Sequence, residues 1–174
     1  MQFDSRIQTG DIALIRNFNL VGRFVRWFFP HTLIDWPSHR FPSQMSNHEG
    51  IFGVFQGIEG IFESSGYDSP RGHLLFFSPW SDCERFISQK KLEYHIVRVP
   101  SLTDDDRAEI NAYLSRATIR RIPYDYHGAI SLALNAALHH PVSTSENRKS
   151  WYCTEVVRNA YHRIGRSFLR TKLP

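Results

Sequence analysis

His48-Glu49-Gly50-Ile51-Phe52-Gly53-Val54-Phe55 alternates into a strand, and Ile58-Glu59-Gly60-Ile61-Phe62-Glu63-Ser64 returns from it. Gln56-Gly57 or the nearby Glu59-Gly60 supplies the turn, since glycine accepts the positive φ that tight hairpins require. If the turn is Gln56-Gly57, Phe55 pairs with Ile58, Gly50 with Glu63 and His48 with Ser65. Directly opposed residues share a face of a sheet, and so do residues two apart. Glu63 therefore lies on the face of His48, one diagonal step away. Moving the turn by two residues changes the distance but keeps that parity. Gly50 and Gly53 leave room above the sheet for another group.

Working outward, Thr9-Gly10-Asp11 is a turn and Ile12 to Ile15 a short buried strand. Asn19 caps a helix from Leu20 to Phe29, whose wide apolar pattern carries Arg23 and Arg26. That helix either packs into the core or offers an apolar face to lipid or acyl chains. Pro30 to Asn47 reads as a long loop, of a length that is often functional. Beyond the hairpin, Leu74 to Phe77 is a strand whose apolar run predicts burial on both faces. Trp80 to Lys91 predicts a short helix and Leu92 to Val99 another strand. Thr103 caps a helix reaching about Thr118, with Asp104, Asp105 and Asp106 at its positive end. Pro123-Tyr124-Asp125-Tyr126 breaks the pattern, Gly128 to His139 forms a helix, and Pro141 to Ser150 is turn-like. Cys153 to Ile164 is the last long helix, followed by a basic tail from Arg166 to Pro174. Strand, helix, several strands, then helices make an α+β order rather than βαβ units. The 174 residues fit one domain, 1–174, with no internal repeat.

Composition excludes several classes. The chain is 41% hydrophobic and 22% charged, ordinary for a globular protein. Aromatics at 14% are high and hint at grooves or apolar surface beyond the core. The net charge of +4 comes from scattered residues, tight only at Lys90-Lys91 and Arg120-Arg121, and no nucleic-acid signature accompanies it. Two cysteines, Cys83 and Cys153, make no disulfide framework. Met1 to Gly10 has no apolar run behind positive charge, so no signal peptide is expected. The apolar stretches are too short for an integral membrane segment. The default expectation is cytoplasmic, with non-classical export or release by lysis as the alternative. His139-His140, His31 and His39 lack zinc-site spacing, and no glycine-rich phosphate loop is present, so neither metal nor cofactor is expected.

Three residues carry candidate chemistry. Cys153 follows a polar loop and opens a helix, where amide N–H groups and the helix dipole favour a thiolate and can hold an oxyanion. By position alone, a lone cysteine on a helix is more often a small core residue. His48 opens a strand, where an imidazole can face a helix start across a cleft; its bland reading is a solvated loop histidine. Glu63 can orient that imidazole and stabilise its cation. Its bland reading is a surface carboxylate, and Glu59 in the turn is its nearest rival.

In combination these segments resemble the circularly permuted NlpC-type papain-like cysteine hydrolases, also called YiiX-like. Gly10-Asp11-Ile12-Ala13-Leu14-Ile15 looks like their opening strand, and Asn47-His48-Glu49-Gly50-Ile51 like their histidine strand. Ile61-Phe62-Glu63-Ser64-Ser65 is similar to the strand bearing their third polar residue. Tyr152-Cys153-Thr154-Glu155-Val156 looks like their nucleophile helix, and Pro123-Tyr124-Asp125 like an element preceding it. The order His48, Glu63, Cys153 is the permuted one, shared with the lecithin-retinol acyltransferase group. The resemblance spans Gly10 to about Ile164.

The resemblance implies a permuted papain-like fold, an antiparallel sheet packed against helices with the nucleophile at a helix N-terminus. It implies a Cys153-His48-Glu63 triad acting through an acyl-thioester, as a peptidase or amidase. Tyr152 or Tyr124 donates a hydrogen bond to the oxyanion or substrate, or simply packs. The implied substrates are amides or esters: cell-wall stem peptides first, other small γ-glutamyl or lysyl amides, or lipid acyl groups. Against these stands a non-catalytic binding module on the same fold. Asn47 and Glu49 depart from the family's more usual Ser and apolar residue. Glu49 is expected to face away and leave the site undisturbed.

Overall fold

Alternating hydrophobicity in the hairpin becomes two separate cores, one on each face of a sheet. The computed structural model describes residues 7–16, 48–65, 74–90, 93–128 and 149–166. Five antiparallel strands, β1 (Ile12–Arg16), β2 (His48–Phe55), β3 (Ile58–Ser65), β4 (Leu74–Pro79) and β5 (Glu93–Val97), lie in the order β4-β3-β2-β1-β5. Three helices accompany them: α1 (Trp80–Lys90), α2 (Asp104–Ile119) and α3 (Cys153–Arg163). The architecture is α+β, as the element order predicts. The predicted helices Leu20–Phe29 and Gly128–His139, the loop Pro30–Asn47 and the tail beyond Arg166 lie outside the described residues, apart from Gly128 itself.

The hairpin turns at Gln56 and Gly57, whose φ values of 53° and 77° are both left-handed. The pairing follows: Phe55 opposes Ile58 and Gly50 opposes Glu63. On one face Ile12, Leu14, Ile51, Phe62, Leu75 and Val97 meet Ile110 and Leu114 of α2 and Val156, Val157, Ala160 and Tyr161 of α3. On the other, Ala13, Ile15, Phe52 and Ile61 meet Cys83 and Trp80 of α1. Each fully buried aliphatic side chain contributes about 1.5–3 kcal/mol.

β4 corrects an expectation. Its apolar run predicts burial on both faces, yet Leu75 and Phe77 are buried while Leu74, Phe76 and Ser78 are only half-buried. The reason is its place at the edge of the sheet. The predicted strand Leu92–Val99 shortens to Glu93–Val97. Past its end, Arg98 turns its guanidinium to Asp11, with Nη2 2.9 Å from Oδ2.

α2 begins where Thr103 accepts from the Asp106 amide (3.1 Å) and its own amide donates to Asp106 Oδ2 (3.0 Å), a reciprocal capping box. The room above Gly53 is taken by Asn111 of α2, whose Oδ1 would lie 2.6 Å from an added Cβ. Asn111 accepts from the Val54 amide (2.7 Å) and donates to the Val54 carbonyl (2.9 Å), tying α2 to β2.

The start of α3 is fastened to the sheet by Trp151. Its amide donates to the Pro123 carbonyl (2.9 Å), and its carbonyl accepts from the Asp125 amide (3.3 Å) and from Ser64 Oγ (2.7 Å). The Leu75 amide in turn donates to the Ile122 carbonyl (2.8 Å). The 122–125 segment therefore bridges the β4 edge and the helix start. That brings Cys153 to the end of the sheet where β2 begins and β3 finishes.

Candidate active site

His48 and Glu63 share a face because β2 and β3 pair Gly50 with Glu63. The side chains complete what the register allows: His48 Nε2 lies 2.7 Å from Glu63 Oε2. The two side chains retain 21% and 14% of their exposure, enough for access and little enough to limit screening by water. The rival Glu59 opposes Val54 beside the turn, toward the other end of the strand from His48.

The second oxygen of Glu63 is also engaged. Ser78 Oγ donates to Oε1 at 2.7 Å, so the carboxylate is gripped from β4 while it holds the imidazole. Ser78 opposes Ile61, two residues from Glu63 along β3, which puts its side chain on the same face. Sequence reading missed it. The signal was a lone hydroxyl directly after the apolar run Leu74–Phe77, but its use depended on a β3–β4 register that no turn motif set.

Cys153 is the first residue of α3, at the N-terminus the sequence predicts. It is half-buried, and neither it nor the buried Cys83 is in a disulfide. Cys153 acts electrostatically on the His48 imidazole that Glu63 hydrogen-bonds. Burial of the ring works against its cation, but the hydrogen bonds and charges of Cys153 and Glu63 outweigh it and raise His48 from 6.5 to about 10. Both influences favour the imidazolium at neutral pH.

The two tyrosines flank this arrangement differently. Tyr152 caps α3, is buried, and its ring lies against Gly128, whose amide donates to Asp125 Oδ1 at 2.8 Å. Tyr124 is half-buried and meets the exposed Tyr126 edge-on, with ring centroids 4.9 Å apart. Burial pushes both phenols up, and Cys153 adds to the rise in each, so both remain hydrogen-bond donors at neutral pH. For Tyr124 Cys153 is the strongest electrostatic influence after burial.

Glu49 faces the opposite side of the sheet, as expected, where it is buried and feels the charge of His48. Burial raises it from 4.5 to about 7, with the His48 charge and the Thr154 hydrogen bond offsetting part of the rise. Among the described residues no group of three or more His, Cys, Asp or Glu is arranged to hold a metal, and no helix is long and apolar enough to cross a membrane. A scan against protein-family models and a search of curated proteins both found no match.

Proposed function

We propose that this chain is a permuted papain-like cysteine hydrolase in which Cys153 is the nucleophile, His48 the general base and acid, and Glu63 the group that orients His48. The observation that carries the reading is the His48 imidazole paired with the Glu63 carboxylate at 2.7 Å, with the electrostatic influence of Cys153 on the same ring in support. Nε2 is taken by Glu63, which leaves Nδ1 for the sulfur. With the proton on His48, the Cys153 sulfur attacks a carbonyl carbon to give a tetrahedral oxyanion. The first amides of α3, which have no acceptor within the helix, hold that oxygen with help from the Tyr124 hydroxyl. The oxyanion collapses, His48 protonates the leaving amine, and a thioester remains on Cys153. Water then attacks as His48 takes its proton, releasing the acid and regenerating the thiol.

The substrate class proposed first is a small peptide amide such as a cell-wall stem peptide, favoured by the half-buried cysteine and the positive net charge of +4. Lipid acyl transfer is the rival within the same chemistry. The test is mass spectrometry of intact protein after incubation with peptide amides, peptide thioesters and lipid esters. The expected result is an acyl adduct on Cys153 that Cys153→Ala abolishes, with amine release from purified sacculi. An adduct formed from lipid esters alone moves the substrate to lipid. No adduct from any donor, with Cys153 and Cys83 alkylating equally slowly, leaves a binding module in place of an enzyme.

A further inference from the structure

Gly60 sits where the hairpin needs no glycine. The sequence offers it as a turn residue, yet it lies within β3, opposite Gly53 of β2 and Pro79 of β4. Its φ is not left-handed, so the position requires space rather than conformational freedom. A glycine inside a strand weakens it and often marks the close approach of another backbone. Here the approach is that of β4: a Cβ on Gly60 would collide with the Ser78 carbonyl oxygen and lie 2.5 Å from the Phe77 ring. Phe77 fills the space over Gly60 and packs on Phe62 and Phe55, at ring-centroid distances of 4.9 and 5.5 Å. Ser78, the next residue, points to the other face, where its hydroxyl donates to Glu63 Oε1 at 2.7 Å. The Ser78 carbonyl accepts from the Cys83 thiol of α1 at 3.7 Å. Among the described residues β4 has a strand neighbour on one side only, so its seat depends on these contacts.

We propose that Gly60 is a positioning residue for the candidate site: by carrying no side chain it lets β4 close on β3, and that closure places Ser78 where it holds the carboxylate that pairs with His48. The path runs from Gly60 to the Ser78 main chain, from Ser78 Oγ to Glu63 Oε1, and from Glu63 Oε2 to His48 Nε2. Both side-chain steps are hydrogen bonds of 2.7 Å. A Cβ at position 60 has no flexible group to push aside at its nearest contact, which is backbone. It therefore moves β4, and a shift of about 1 Å breaks a hydrogen bond of that length. The weight of Gly60 in turnover rests on the hydrolase reading above, whereas the placement of Ser78 does not.

The test reads the His48–Glu63 pair without any acyl donor. The ring N–H proton of His48, assigned by its loss in His48→Gln, is followed by NMR for its exchange with water, beside the melting temperature. Gly60→Ala and Ser78→Ala are each expected to speed that exchange by about three- to tenfold, the factor one lost hydrogen bond supplies. Combining them speeds it no further, because both act through the same hydrogen bond. A folded Gly60→Ala protein that exchanges like the parent overturns the proposal, and so does a double variant in which the two effects multiply. If Gly60→Ala does not fold, Gly60→Ala with Phe77→Leu carries the same comparison, with Phe77→Leu alone as its reference. That pair clears the space of the ring and keeps the collision with the Ser78 carbonyl. Parental exchange with slowed adduct formation on Cys153 overturns positioning and leaves the hydrolase reading standing. Faster exchange, with no adduct from any donor even in the parent, supports positioning and removes the hydrolase reading.

Discussion

The sheet buries a carboxylate toward each end of its central strands, and the two are held by different partners. Asp11, just before β1, is fully buried and accepts from the Gln8 amide (2.9 Å) and from Arg98, with Arg107 3.8 Å away. Glu63, near the end of β3, accepts from Ser78 and pairs with His48. A guanidinium keeps its proton at any pH a protein survives, so the Asp11 cluster fixes geometry and moves nothing. An imidazole gives and takes a proton, so the Glu63 cluster can run chemistry. Both regions look alike as buried ion pairs. The partner, not the carboxylate, separates a clasp from a candidate catalytic site.

That contrast can be broken most forcefully at His48. His48→Gln is expected to lower acyl-adduct formation on Cys153 by on the order of a thousandfold while the protein still folds. Glu63→Gln is expected to cost about a hundredfold and to bring the His48 titration midpoint, read by NMR, down from about 10. Asp11→Ala should do the converse, costing about 2–3 kcal/mol in urea unfolding with adduct formation largely retained in the folded fraction. If Asp11→Ala kills chemistry without loss of stability, the division into clasp and site is wrong.

A pH series sharpens the comparison. His48 is raised in the folded state, so it binds its proton more tightly folded than unfolded. Its contribution to stability is whole below 6.5 and is lost as pH rises through about 10. The stability gap between the parent and His48→Gln should therefore shrink over that window, and Asp11→Ala should leave the shrinkage in place. Glu49 is also raised, so its contribution is whole below 4.5 and lost as pH rises through about 7. The smallest effect belongs to Ser78→Ala, which removes one hydrogen bond to Glu63 and is expected to slow adduct formation by about three- to tenfold.

The hairpin was the most legible part of the molecule. Period-two alternation and a Gln-Gly turn put Glu63 opposite Gly50 before any coordinates, because a strand's faces follow from local geometry alone. Thr103 and the acidic turn after it marked the start of α2 for the same reason. Less legible was β4, where an apolar run says nothing about which strand is an edge. The glycine at Gly53 predicted a close approach but not the visitor, which is Asn111 from a helix far along the chain.

By itself, then, the sequence determined what is written in near neighbours: strand parity, the turn, the caps, the helix start at Cys153 and the α+β order. The tertiary structure decided which distant groups meet. It brought Ser78 to Glu63 and the 122–125 segment to Trp151. The physical reason is that local preferences act over a few residues through backbone sterics and short hydrogen bonds. Encounters between distant segments are selected by the whole packing of both sheet faces, which no single stretch of chain encodes.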